Sequence, residues 1–293
     1  METHTTSVLK GTASDNQALW QAALLFALLG FLFYRILESL VSQWIHDPSY
    51  SHGFFVLLFC AWVVWRERNR LTGIPNEPSD TGLIIIVGAL GELVLGVLGA
   101  ENFLSRTSLL ILLAGLVVYF RGWKYFRSLL FPWAVLFLMV PLPAIIFNQV
   151  ALPLQFQASR LASGMLGLVG VPVLREGNVI QLPSISLDVV EACSGLRSLV
   201  SLFTMAVFYG YLFEPRIFWR VLLILAAIPI AVVANGVRIM GSGILGQYWS
   251  ADKAEGFFHL FSGWVIFIVS LGLLFSFHKL LSWLKPPSQE KCA

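Results

Sequence analysis

Residues 217–240 read IFWRVLLILAAIPIAVVANGVRIM. A helix needs roughly 20 mostly apolar residues to cross the hydrocarbon core of a bilayer, and this run has that length and character. Runs of similar kind, some shorter, lie near 18–40, 52–66, 81–99, 104–120, 129–150, 193–212 and 258–281. The pattern predicts an all-α polytopic membrane protein of about eight transmembrane helices. The second span is short, and the fifth is interrupted by Pro132, Pro141 and Pro143. Composition agrees. The chain of 293 residues is 57% hydrophobic and 12% charged, and its mean hydropathy of +0.79 is that of a protein whose solvent is lipid. An aromatic content of 14% suits a chain with two membrane interfaces to line.

The same numbers exclude other classes. The net charge of +3 is small, and the basic residues sit in short loops, so no nucleic-acid surface is expected. The cysteines, Cys60, Cys193 and Cys292, are odd in number and far apart. They form neither a disulfide framework nor a metal spacing, and no cofactor or metal is implied. The apolar run from Ala18 is longer than a signal-peptide core and lacks a small-residue cleavage site, so it reads as a retained first span.

Charge orients the spans. Lys10, then Arg66, Arg68 and Arg70, then Arg121, Lys124 and Arg127, then Arg216 and Arg220, and finally Lys279, Lys285 and Lys291 fall on one side if there are eight spans. The opposite loops carry only Arg106, Arg160, Arg175 and Lys253, while Arg35, Arg197 and Arg238 lie within spans. The positive-inside rule places both termini in the cytoplasm. The expected organisation is a disordered cytoplasmic segment over 1–17, a membrane domain over 18–283 and a cytoplasmic tail over 284–293.

One external segment is long, about 144–192. Residues 150–168 are amphipathic, with Gln155, Gln157, Ser159, Arg160 and Ser163 between apolar positions. They predict an external interfacial helix, a ninth span being the alternative. Two apolar runs, 171–174 and 179–182, flank Gly177-Asn178 and predict a short β-hairpin. Residues 184–189 alternate like a third strand and deliver the chain to Cys193.

Cys193 is expected to open the sixth span from the outside. Arg238 lies roughly 20 residues along the outward-running seventh span, close to the outer leaflet at 1.5 Å per residue. His259 falls in the first turn of the eighth. Three consecutive helices therefore bring a Cys, an Arg and a His to the external face, and the orientation argument used none of these residues. The types suit acyl transfer: a thiolate favoured by a helix N-terminus as nucleophile, an imidazole as acid/base group, and a guanidinium to stabilise thiolate or oxyanion. Asn235, one turn before Arg238, points to an inward polar cluster as opposed to a snorkelling arginine. Supporting candidates are Ser194 beside the thiol, Arg197 one turn below it, and His52 at the external start of the second span, where capping is the alternative role. Glu92 needs a polar partner that spacing does not name. Gly88, Gly91, Gly96 and Gly99 are expected to permit close helix packing.

These residues carry a resemblance. Tyr50-Ser51-His52-Gly53, Pro141-Leu142-Pro143, Arg175-Glu176-Gly177, Ala192-Cys193-Ser194-Gly195-Leu196-Arg197-Ser198, Asn235-Gly236-Val237-Arg238-Ile239 and His259 four residues before Gly263 together resemble the exosortases, membrane cysteine transpeptidases of exopolysaccharide-producing Gram-negative bacteria. The resemblance implies an inner-membrane enzyme with its active site facing the periplasm. It would cleave the C-terminal PEP-CTERM sorting signal, a Pro-Glu-Pro motif followed by a transmembrane helix and a basic tail. Cys193 would be the nucleophile, Arg238 the stabilising cation and His259 the acid/base group. The partners implied are such substrate proteins, the lipid bilayer, and an acceptor that is either an amine on a lipid or glycan, for a transpeptidase, or water, for a protease. Some exosortases carry a further C-terminal periplasmic domain, and none is expected from residues 284–293, which read as a cytoplasmic tail. A transporter, or a scaffold for polysaccharide export with a non-catalytic polar cluster, is the alternative from another class.

Overall fold

The computed structural model describes residues 3–189, 195–248 and 257–284. The chain divides into two compact units, Met1–His46 with Arg68–Trp133, and Asp47–Glu67 with Ala134–Ala293. The expected multi-pass helical membrane protein is the fold found.

The first unit contains α1 (Thr3–His46), the short α3 (Arg68–Thr72), α4 (Thr81–Leu98), α5 (Asn102–Arg121) and most of α6 (Trp123–Leu136). The backbone of α1 is helical from Thr3, and no proline interrupts that segment. Helices α4 and α5 pack antiparallel along a seam of small residues. Gly82 lies against Tyr119 and the Gly115 carbonyl, Gly115 against Ile86, and Gly96 against Ser105, so close that a methyl group at any of the three would overlap its neighbour. Without a hydrophobic force between helices in lipid, such backbone approach supplies the packing energy. Gly88 and Gly91 do not share this role, since both face open space, and Gly99 caps the helix end. The seam follows positions 82, 89 and 96, one face of α4.

Polar groups inside this unit are matched. The Thr107 hydroxyl donates to Glu92 Oε1 at 2.7 Å, which supplies the partner that spacing could not name. Arg106 is a buried residue of α5, not a loop residue. Its guanidinium donates to Gln43 Oε1 at 2.7 Å and Ser39 Oγ at 3.0 Å on α1. In a low-dielectric interior an unpaired partner in such a contact is costly.

The second unit holds α2 (Gly53–Arg66), a 3-10 turn (Phe137–Met139), α7 (Ala144–Leu168), β1 (Leu174–Glu176), β2 (Val179–Gln181), β3 (Ser186–Asp188), α8 (Leu196–Phe213), α9 (Ile217–Tyr248) and α10 (Phe257–Leu284). Leu202 and Ala206 of α8, Leu223, Ala227 and Ala231 of α9 and Leu274 of α10 form one core. The i, i+4 spacing on α9 is a single buried stripe, and it continues through Asn235 to Arg238.

The expected eight spans are more than the helices support. Six of the described helices are long and apolar enough to cross a bilayer, and α6 with α7 makes a seventh if that bent pair is one span. The difference lies in α2, whose 14 residues reach about 21 Å at 1.5 Å per residue, short of the ~30 Å hydrocarbon core. The chain bends by 80° between the helical stretches Trp123–Met139 and Ala144–Leu168. Pro141 and Pro143 account for the break, since each lacks an N–H and biases its predecessor away from the helix. The amphipathic helix begins at Ala144, earlier than 150, and turns Ala151, Gln155, Ala158, Ser159, Ala162 and Leu166 inward.

The strands form an antiparallel sheet of order β1-β2-β3. Gly177, with φ of 65°, and Asn178 make the two-residue hairpin turn that the sequence predicts. Ile180, Leu182 and Val189 pack with Ala158, Ala162 and Leu166 of α7 and Ile239 of α9. Two hydrogen bonds fix the sheet to those helices: Ser159 Oγ donates to the Gly177 carbonyl at 3.0 Å, and Ser184 N donates to Gln247 Oε1 at 3.1 Å.

Candidate functional site

All seven candidate residues belong to the second unit: His52, Cys193, Ser194, Arg197, Asn235, Arg238 and His259. Cys193 and Ser194 lie outside the described residues, as does the side chain of His259, whose backbone occupies the first turn of α10.

The residues that follow the cysteine in sequence are described from Gly195 onward. Helix α8 starts at Leu196, and Gly195 is its N-cap with φ of 76°. A residue in the left-handed region cannot continue a right-handed helix, so Cys193 precedes α8 instead of opening it. The expected placement of Arg197 one turn below Cys193 lies outside the described residues. Arg197 is an exposed residue of the first helical turn.

Gly195 is held by α9. A Cβ placed on it would lie 2.7 Å from Asn235 Cγ, 2.8 Å from its Cβ and 2.9 Å from its Nδ2. Both the positive φ and this approach require glycine. The Cys-Ser-Gly block and the Asn-x-x-Arg block, 40 residues apart in sequence (195 to 235), are thus in direct contact. Asn235 is 2% exposed and Arg238 9%. Arg238 therefore faces the interior of its unit, on the same stripe of α9 as Asn235, and does not snorkel outward. On the following residue, Gly236, the absent side chain admits Leu161 of α7, whose Cδ2 would lie 2.6 Å from a Cβ. Beside Gly195 runs a small apolar crevice lined by Leu154, Leu199, Ala231 and Val232.

His52 has a different neighbourhood. It precedes α2, makes no capping bond through its side chain, and is buried. Its Nε2 lies 3.0 Å from the Leu138 carbonyl in the 3-10 turn. A carbonyl only accepts, so Nε2 carries the proton. Burial pulls the imidazole below its usual pKa, and the Leu138 carbonyl opposes this in part. His52 ties α2 to the turn, which is a structural role. Among the described residues no group of His, Cys, Asp and Glu could hold a metal ion.

At the other end of α8 lies a cluster that spacing did not reveal. Glu214 is 2% exposed, and His278 Nε2 sits 3.3 Å from its Oε2. Tyr209 Oη is 2.8 Å from His278 Nδ1, and Arg220 donates to the Glu214 carbonyl. These residues come from α8, its following turn, α9 and α10. A single sequence shows no periodicity that would link positions 209, 214 and 278.

The comparison with known families decides membership. The family model described as transmembrane exosortase matches residues 44–276, most of the chain. The chain belongs to the exosortase family. The match takes in every candidate residue, from His52 to His259, and family membership supports a transpeptidase-type role at the membrane in general. No curated protein and no solved structure matches the chain.

Proposed function

We propose that this exosortase is a cysteine transpeptidase or endopeptidase acting on the C-terminal PEP-CTERM sorting signal of exported proteins. The observation that carries the reading is the contact of left-handed Gly195 with Asn235. It ties the segment bearing Cys193 to the helix bearing Arg238, as a shared site requires. In the proposed reaction the Cys193 thiolate attacks the scissile carbonyl carbon, with His259 having taken the thiol proton. Arg238 stabilises the developing oxyanion, an effect typically worth about 3 kcal/mol for a well-placed donor. The C–N bond breaks, the imidazolium returns its proton to the leaving amine, and a thioester remains on Cys193. An amine acceptor, or water, then releases the product. If the short α2 serves as an eighth crossing through a locally thinned bilayer, the positive-inside pattern supports an inner-membrane protein with cytoplasmic termini and this site at the periplasmic face.

The test is co-expression with a tagged PEP-CTERM protein, following its size on a gel for wild type and Cys193→Ala at matched membrane levels. The proposal expects cleavage by wild type alone. Equal processing by both would remove Cys193 as nucleophile and favour a transporter or an export scaffold.

A further inference from the structure

We infer that β3 is the docking edge for the substrate polypeptide, which adds to the sheet as an extended strand. The inference rests on the peptidase reading and deepens it. The register of β2 and β3 pairs Val179 with Asp188, Ile180 with Leu187 and Gln181 with Ser186. Flanking bonds run from Leu182 N to the Ile185 carbonyl at 2.8 Å and from Val189 N to the Asn178 carbonyl at 3.1 Å. In an antiparallel ladder the bonded pairs alternate. Ile185, Leu187 and Val189 therefore spend their N–H and C=O groups on β2. Ser186 and Asp188 turn theirs to the outside, and among the described residues no strand meets that edge.

Two residues spaced by two, each offering a donor and an acceptor, are what an extended backbone satisfies. The opposite edge of the sheet offers less. There Leu174 and Glu176 pair with β2, leaving only Arg175 directed outward, and the Arg175 side chain bends back to donate to the Gly177 carbonyl at 2.7 Å. The β3 edge is also rigid. Val189 and Ile180 are fully buried on α7 and α9, and the β2–β3 turn is bonded to Gln247 of α9. Asp188 is held by Asn178 Nδ2 at 2.9 Å. The chain leaves β3 five residues before Cys193. A strand laid on this edge thus pairs with the residues that lead, in sequence, to the nucleophile, and an extended backbone presents its carbonyls for attack.

The experiment measures binding as well as cleavage, because binding does not require the thiol. The probe is a fluorescent synthetic peptide spanning the external part of a sorting signal, made as a series with single N-methylated amides. Its affinity is measured for full-length Cys193→Ala in detergent, and KM and kcat for the wild type. The edge predicts that N-methylation weakens binding at two positions separated by one tolerant residue. Ser186→Pro, which removes an outward N–H and no bond of the sheet, should raise Kd and KM roughly 3–10-fold, the loss of about one hydrogen bond, with kcat nearly unchanged. Arg175→Pro, the matched change on the other edge, should leave both as they were. A methylation profile without alternation overturns the inference, whatever Ser186→Pro does to folding. So does a Ser186→Pro effect confined to oligomeric state, which would assign the edge to a second copy of this chain. Alternating binding without cleavage by wild type would instead retain the docking edge and reject the peptidase reading.

Discussion

Replacing Gly195 by Ala tests how the segment bearing Cys193 is held. Two independent costs arise. The residue has φ of 76°, and an L-residue in the left-handed region costs roughly 1–2 kcal/mol. The added Cβ would also sit 2.7–2.9 Å from three atoms of Asn235, where carbon atoms prefer about 3.5–4.0 Å. Overpacking of that kind typically costs about 1–3 kcal/mol. Together they give roughly 2–5 kcal/mol of lost stability. Asn235→Gly removes the overlapping Cβ, Cγ and Nδ2 but leaves φ unchanged. The double variant should therefore recover the second cost and keep the first, a coupling of about 1–3 kcal/mol in a double-mutant cycle. Reversible unfolding of the four proteins in mixed micelles measures this. If Gly195→Ala unfolds within ~0.5 kcal/mol of wild type, or the two changes add strictly, the contact does not hold the segment as described.

Other expectations concern the scaffold. Gly88→Ala, in open space on α4, should stabilise by up to about 1 kcal/mol through helix propensity, whereas Gly82→Ala should destabilise by about 1–3 kcal/mol through overlap with Tyr119; thermal unfolding in one detergent compares them. The folded pKa of His52 lies below its usual 6.5, so the unfolded chain binds the proton more readily. Its contribution is complete above pH 6.5 and is lost as pH falls toward the folded value. Unfolding across that window should show less pH dependence in His52→Phe than in wild type. Glu214→Ala, which takes the carboxylate away from His278 Nε2, should cost roughly 1–3 kcal/mol with little change in kcat of the folded enzyme; a comparable fall in kcat would contradict its separation from the site.

Much of this architecture is legible in the sequence because each feature is local. A run such as 217–240 must be helical in lipid, Gly177-Asn178 between apolar runs must turn, and the alternation over 184–189 becomes β3. Pro141 and Pro143 break the helix where they stand. What escaped reading depends on contacts between distant segments. Nothing in the α4 sequence distinguishes Gly96, pressed on Ser105, from Gly88, which faces open space, because the seam is set by the tilt of α5. The partner of Glu92, Thr107, required the α4–α5 register. Gly195 is legible as part of a motif but not as a left-handed cap, so α8 starts at Leu196 and not at the 193 expected for the sixth span. The cluster of Tyr209, Glu214 and His278 joins helices that share no pattern. The contact of Gly195 with Asn235, by contrast, agrees with the expectation that topology brings the two motif blocks to one membrane depth.

The most direct measurement is the mass of the enzyme during turnover. Wild type and His259→Ala would be mixed with a sorting-signal peptide, quenched in acid and digested. The account predicts a hydroxylamine-sensitive adduct of the N-terminal substrate fragment on the peptide containing Cys193. It should be absent from Cys193→Ala and form more slowly in His259→Ala. Cleaved substrate with no adduct on Cys193 at any time, or an adduct on another residue, would contradict it.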